Sequence, residues 1–330
     1  MQKENIPVID IRLIDDDVHQ IDIATQIRKA CSEHGFFYVS GHGVAEGLQE
    51  KLLQESKLFF SLPEHEKLKI AMEKGGNAWR GFFPVNAELT SGKPDRKEGL
   101  YFGSELSAHD QRVKSGTPLH GKNLFPNHPA AFKDTVLTYM DAVIQTGHSI
   151  MKGIALSLGL PADYFYDQYT SDPLILFRIF HYPPQQALET QWGVGEHTDY
   201  GLLTILLQDS VGGLQVKSKG EWIDAPPVPN TFICNIGDML DKMTGGVYRS
   251  TPHRVLNTSG QNRLSFPLFF DPNFNSKIAS IKNADGEMYS ASIERWDKAD
   301  IHVFEGTYGE YLLEKIGKVF PDLGKDVLGL

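Results

Sequence analysis

Apolar positions recur along this chain with two different periods, and the change from one to the other divides it. In the first half the period is mostly helical. Ile23, Ala24, Ile27, Ala30 and Cys31 are spaced for one helix face, and Gly35 stands where that helix would end. Leu48, Leu52 and Phe59 mark a second helix that stops before Pro63. Between the two, Phe36-Phe37-Tyr38-Val39-Ser40 is aromatic and β-rich, which predicts a strand closed by Gly41-His42-Gly43. Residues 7–11 predict a short edge strand. After Pro129, a stripe of Phe132, Val136, Tyr139, Val143, Ile150, Ile154 and Leu158 predicts one long scaffold helix, stopped by Gly159 and Pro161. At 1.5 Å per residue it would span roughly 45 Å. His148 lies inside it and reads as a packing or surface residue.

Beyond residue 170 the runs become short and β-rich, at 174–182, 202–207, 213–216, 222–224, 231–235, 253–256 and 263–270. Gly212-Gly213, Gly245-Gly246 and Asn257-Thr258-Ser259-Gly260 supply turns between them. Many short strands at this spacing predict a sandwich or barrel. Tyr308, Tyr311, Leu312 and Ile316 predict a closing C-terminal helix. Over 75–125 the periodicity fades, and aromatic residues are scattered among Gly, Pro, Asn and Ser. Such a segment is either a rim over a site or a passive wrap. No repeat or linker interrupts the chain. The expectation is a single domain over 1–330, with a helix-rich region at 1–170, a β-rich core at 171–285 and a C-terminal segment at 286–330.

The chemistry concentrates at Gly195-Glu196-His197-Thr198-Asp199-Tyr200-Gly201 and the apolar run 202–207 that follows. If 195–207 is one extended stretch, His197 and Asp199 leave the same face. Leu203, Ile205 and Leu207 would continue that face, and Leu202, Thr204 and Leu206 would line the other. A histidine and a carboxylate supply two of the three ligands that non-haem iron(II) oxygenases use, and His253 is the candidate for the third. Several strands fit between Asp199 and His253, so this ligand is expected from a neighbouring strand on the opposite side of the barrel. Three open positions on such an iron would accept a chelating keto-acid and O2. Asn235 is a candidate to orient a ligand.

Arg263 and Ser265 share a strand face, and an arginine inside an apolar strand is costly unless an anion meets it. The pair suits the far carboxylate of a dicarboxylic keto-acid. On 174–182, Leu174, Leu176, Arg178, Phe180 and Tyr182 share one face, and Ile175, Phe177, Ile179 and His181 the other. Tyr182 is a candidate donor to the keto-acid. Arg178 would meet a substrate carboxylate, the keto-acid, or a structural ion-pair partner. Arg178, Phe180, His181 and Phe269 form the candidate substrate-binding group.

Composition narrows the field. The chain of 330 residues is 41% hydrophobic and 22% charged, enough for a substantial core. Its formal net charge of −10 comes without a Lys/Arg cluster, which argues against nucleic acid and anionic membrane surfaces as partners. Cys31 and Cys234 read as buried thiols of a reducing compartment rather than a disulfide or a zinc pair. The N-terminus carries no signal-peptide pattern, and no apolar run approaches membrane-spanning length. The expectation is a cytoplasmic protein acting on a small molecule, with its oligomeric state left open.

His197-Thr198-Asp199-Tyr200-Gly201-Leu202-Leu203-Thr204, Asn235-Ile236-Gly237-Asp238, Ser250-Thr251-Pro252-His253-Arg254-Val255 and Arg263-Leu264-Ser265, in that order, resemble the iron(II)/2-oxoglutarate-dependent oxygenases. Ile6-Pro7-Val8-Ile9-Asp10 and His34-Gly35-Phe36-Phe37 resemble the opening of the branch built around isopenicillin N synthase. Ser91-Gly92-Lys93-Pro94-Asp95, the run 110–116 and Met243-Thr244-Gly245-Gly246 are similar to bacterial ethylene-forming enzyme. The chain departs from that enzyme at His181, where its pattern has arginine. The resemblance implies an α+β protein with a double-stranded β-helix, or jelly-roll, core. It also implies Fe(II) on His197, Asp199 and His253, and 2-oxoglutarate on Arg263 with help from Ser265 and Tyr182. The implied reaction is oxidation of a small-molecule C–H bond by O2, by default hydroxylation, with 2-oxoglutarate converted to succinate and CO2. Two other readings stand beside it: an oxidase of the isopenicillin N synthase type that needs no 2-oxoglutarate, and a non-catalytic metal-binding barrel, for instance with zinc.

Overall fold

A computed structural model describes residues 5–185, 192–282 and 301–319. Its strands are β1 (Val8–Asp10), β2 (Phe36–Ser40), β3 (Gly81–Phe83), β4 (Glu98–Gly103), β5 (Leu174–Tyr182), β6 (Val194–His197), β7 (Leu203–Gln208), β8 (Leu214–Ser218), β9 (Glu221–Asp224), β10 (Phe232–Ile236), β11 (His253–Val255) and β12 (Arg263–Asp271). The helices are α1 (Gln20–Glu33), α2 (Glu46–Phe60), α3 (Glu64–Lys67), α4 (Gln111–Lys114), α5 (Phe132–Ser157), α6 (Asp238–Met243) and α7 (Tyr308–Val319). The strands form two sheets, the larger in the order β1-β2-β10-β7-β12-β5-β4-β3 and the smaller in the order β6-β11-β8-β9. Every pairing is antiparallel except β1 with β2. This is the α+β jelly-roll architecture with helices packed outside it.

Period-2 alternation gives the larger sheet two different faces. On the outer face, the Phe177 ring packs on Tyr139 of α5, and Phe270 meets His148 of the same helix. The inner face carries Leu176, Arg178, Phe180 and Tyr182 from β5, and Arg263, Ser265, Pro267 and Phe269 from β12. The stripe predicted for the long helix is the buried face of α5, including Val136, Tyr139, Val143, Ile150 and Ile154. Gly147 lets that helix close on the sheet, because a Cβ there would lie 2.5 Å from the Phe270 ring. Gly35 ends α1 in the left-handed conformation (φ 66°), which an L side chain adopts at a cost.

Three expectations need correction. The run 195–207 is not one strand: β6 ends at His197, β7 begins at Leu203, and the two lie in different sheets. Parity cannot be counted through the turn between them, and the face assignment inverts. Thr204 and Leu206 line the interior cavity, while Leu203 and Ile205 do not. His253 does not come from the opposite side of the barrel either, since it pairs directly with His197 across β11 and β6. The region 75–125 also holds two strands. β4 pairs with β5, Tyr101 opposite Arg178, and all six β4 residues are buried. A strand covered on both faces shows no alternation, so its sequence carries no period to read. The expected C-terminal segment 286–330 falls within the described residues only over 301–319, where α7 occupies the predicted place.

Candidate metal centre and cavity

The ligand atoms of His197, Asp199 and His253 lie within 4.8 Å of one another. Asp199 Oδ1 is 3.8 Å from Nε2 of His197 and 3.7 Å from Nε2 of His253. The surroundings select which atoms face inward. His197 Nδ1 is 2.8 Å from the Gly195 carbonyl, and His253 Nδ1 is 3.1 Å from the Thr251 carbonyl. A ring nitrogen facing a carbonyl carries the proton, which leaves each Nε2 as a lone pair aimed at the centre. Asp199 Oδ2 accepts from Thr204 Oγ1 at 2.5 Å and Asn235 Nδ2 at 2.6 Å, so Oδ1 is the oxygen left for a metal.

Asp199 sits in a turn held by backbone donors. Asp238 N donates to the Asp199 carbonyl at 2.8 Å, Met239 N to Gly201 at 3.0 Å, and Gly237 N to Leu202 at 3.1 Å. Burial pushes the His197 imidazolium down to about 4, and neighbouring His253 adds to the effect. Burial works against the Asp199 carboxylate, but the two imidazoles and the Asn235 and Thr204 donors outweigh it and lower its pKa. Two imidazole nitrogens with one carboxylate oxygen is the donor set Fe(II) prefers. These residues fit the ion.

Deeper in the cavity Arg263 is 1% exposed. Among the described residues its Nε and Nη1 have no hydrogen-bond partner, and its Nη2 donates to Gln208 Oε1 at 3.3 Å. Its guanidinium lies 4.7 Å over the Tyr182 ring, and Tyr182 OH is 3.4 Å from Ser265 Oγ. A buried guanidinium with unused donors is expensive unless an anion meets it. The chemistry of that cradle suits a carboxylate, and Arg263, Ser265 and Tyr182 are the residues that would hold one.

Arg178, Phe180 and Phe269 also line the cavity. The Arg178 guanidinium stacks 3.4 Å from the Tyr101 ring centroid and makes long bonds, 3.3 and 3.4 Å, to the Phe102 and Phe177 carbonyls. Among the described residues no carboxylate lies within ion-pairing distance of it, and burial lowers its pKa. His181 is the exception in the expected substrate group. It points to the other side of β5, with Nδ1 at 2.8 Å from Glu98, Nε2 at 2.8 Å from Asn262 and its ring stacked on Phe60. Strand alternation accounts for this, since Phe180 and Tyr182 on either side face inward.

Sequence reasoning missed Thr204 and a buried cluster in the region without periodicity. Lys97 Nζ lies 2.8 Å from Asp95 and 3.0 Å from Glu88, and Tyr101 OH donates to Glu88 at 2.6 Å. Burial would lower the Lys97 pKa, but the two carboxylates reverse this and raise it. The only sequence signal for this cluster was charged residues standing among aromatic ones. Tyr308, Leu312 and Ile316 of α7 form another wall of the cavity.

Comparison with known proteins agrees with this geometry. Residues 6–128 match the family described as non-haem dioxygenase in morphine synthesis N-terminal, and residues 173–272 match the 2OG-Fe(II) oxygenase superfamily. A probable iron/ascorbate oxidoreductase of Dictyostelium discoideum is 53% identical, covering 98% of this chain and 97% of its own. A 1-aminocyclopropane-1-carboxylate oxidase of Dictyostelium mucoroides is 44% identical, covering 97% and 96%. Among solved structures, a full-length Neurospora crassa protein in complex with alpha-KG and thymine superposes with a TM-score of 0.78 at 28% identity, covering 94% of this chain and 96% of that one.

Proposed function

The chain belongs to the 2OG-Fe(II) oxygenase superfamily, and from that membership we propose that it hydroxylates a C–H bond of a small, carboxylate-bearing molecule. It is an oxidoreductase that uses Fe(II) on a His-Asp-His triad, with 2-oxoglutarate as cosubstrate. Bound together, Fe(II), 2-oxoglutarate and O2 supply the oxidising power, and decarboxylation yields succinate and CO2. The protein's part is to hold, aim and exclude. Asp199 contributes one negative charge beside two neutral imidazoles, so the ion keeps positive charge for an anionic chelator. Thr204 and Asn235 fix the carboxylate, and the Gly195 and Thr251 carbonyls fix the imidazoles. Arg263, Ser265 and Tyr182 would hold the diacid's tail. Phe180, Leu206 and Phe269 would keep water from the reacting bond.

The observation that carries the 2-oxoglutarate reading is the buried Arg263, under-partnered among the described residues, in the cavity that the triad also lines. Arg178 supports a substrate carboxylate, because it offers a second buried guanidinium with no ion-pair partner among the described residues. The 44% identical relative named for an amino acid, 1-aminocyclopropane-1-carboxylate, is in keeping with that reading. The test supplies Fe(II), ascorbate and 2-oxoglutarate to the purified protein and measures succinate while small acids are added alongside their amides. Acids are expected to accelerate succinate release and amides are not. His197→Ala should abolish the release. Arg263→Met should raise the KM for 2-oxoglutarate about 10- to 100-fold, as expected for losing charge-assisted hydrogen bonds. O2 consumption indifferent to 2-oxoglutarate would overturn the cosubstrate assignment, and equal response to acids and amides would overturn the substrate class.

A further inference from the structure

We propose that Tyr308 and Tyr311 of α7 are positioning residues for the iron site, holding the Asp199 turn through two buried aspartates. The proposal rests on the metal assignment above, and it concerns a helix about 110 residues away in sequence. Tyr308 OH donates to Asp271 Oδ2, and Asp271 Oδ1 accepts from Leu202 N at 3.2 Å, at the end of the turn. Tyr311 OH donates to Asp238 Oδ2 at 2.8 Å, and Asp238 N donates to the carbonyl of Asp199 itself at 2.8 Å. Each tyrosine therefore reaches the metal-binding turn through one carboxylate residue, and the two paths grip opposite ends of it. A third contact comes from Lys315, whose Nζ lies 5.8 Å from the ring of Tyr200 within the turn.

The turn has no slack between these grips. A Cβ on Gly201 would run into Asp271 Oδ1, and one on Gly237 would run into the Gly201 carbonyl. α7 is itself anchored at its start, where Tyr308 N donates to the Ser276 carbonyl at 2.9 Å and Gly309 N to that of Phe274 at 2.8 Å. Its next turns supply Leu312 and Ile316 to the cavity. Phenylalanine would fill the same apolar space as either tyrosine. A hydroxyl buried this deeply is worthwhile only for the bond it makes, and both hydroxyls are aimed at carboxylate residues that also hold the turn. One helix thus fixes both a wall of the substrate cavity and the seat of an iron ligand.

The test uses the whole 330-residue chain stripped of metal, with Tyr308→Phe, Tyr311→Phe and the double variant. Each is titrated with Co(II), reading its visible absorption, and separately with anaerobic Fe(II) and 2-oxoglutarate, reading the charge-transfer band. Far-ultraviolet circular dichroism checks the fold. The expected result is a native dichroism spectrum, Co(II) affinity lowered at least about tenfold in the double variant, as for the loss of groups that orient a ligand, and a shifted charge-transfer band. Asp271→Asn placed on Tyr308→Phe should recover part of the affinity, because it removes the carboxylate left without its donor. Wild-type Co(II) affinity with an unshifted band, even alongside a lower Tm, would overturn the proposal, since a purely structural helix gives that result. If the double variant does not fold, Tyr311→Phe alone decides by the same two readings. Failure of the proposed reaction would show as a wild-type protein that binds Co(II) yet releases no succinate, which leaves this comparison intact.

Discussion

Asp199 has one oxygen for a metal because the other is engaged twice, by Thr204 and by Asn235. Removing either donor lets the carboxylate rotate or bind through both oxygens. Asn235→Ala is therefore expected to weaken Co(II) binding about 10- to 100-fold, and a titration showing wild-type affinity would assign that contact to packing alone. Asp271 gives a prediction in pH. Burial raises its carboxyl from the ordinary 3.8 up to about 7, against the Tyr308 and Leu202 donors. The folded state holds this proton more tightly than the unfolded chain does. The corresponding stability is complete below about pH 4 and is lost as pH rises towards 7, at about 1.4 kcal/mol per pH unit. Asn at this position cannot titrate. In metal-free protein the Tm of Asp271→Asn minus that of wild type should grow from pH 4 to 7 and then level off, and a difference flat with pH would contradict the shift. Of the residues in the site, the triad and Arg263 were legible because each is chemically expensive to bury without a task. Thr204 and Lys97 were not, because a threonine in a strand and a lysine in an irregular segment are ordinary until their neighbours are known.

Among the elements, α5 shows how much a single missing side chain decides. Gly147 faces Phe270, which is fully buried and has no room to give. Alanine would gain about 1 kcal/mol of helix propensity, but its Cβ would meet the ring at 2.5 Å. The clash dominates, since overpacking a fixed core position costs about 1–3 kcal/mol. Gly147→Ala should lower the Tm by a few degrees in calorimetry, and an unchanged or higher Tm would show that the sheet can retreat. Long amphipathic elements such as α1, α2 and α5, and strands such as β2 and β5, were readable because one face of each is repeated often enough to set a period. The break between β6 and β7 was not. The run 195–207 is compatible with extension throughout, and nothing local requires the turn at 198–202 that sends β7 into the other sheet.

For the molecule as a whole, the cavity is assembled from parts far apart in sequence: Trp79 and Lys97, the inner faces of β5 and β12, the β6–β11 pair and α7. Ligands that bind there bind only the folded chain, so they stabilise all of it. Co(II) with 2-oxoglutarate, each at about 100 times its Kd, should add about 2.7 kcal/mol per ligand and raise the Tm measurably, and a chelator should remove the gain. In Arg263→Met, at the same ligand concentrations, the Co(II) increment should persist while the 2-oxoglutarate increment falls to about half or less. If both persist, 2-oxoglutarate does not depend on that guanidinium.

The order of residue types along the chain was sufficient to name the three metal-ligating residues, because histidine and aspartate within apolar runs are tolerated only where something compensates them. It was also sufficient for elements whose period repeats. What it could not fix was direction: which strand lies beside which, which face turns inward after a turn, and what a distant helix presses against. Those outcomes follow from pairing and packing between segments remote in sequence. His253 beside His197 rather than across from it, His181 turned away from the cavity, and two tyrosines of α7 reaching the Asp199 turn were therefore decided only by the tertiary structure.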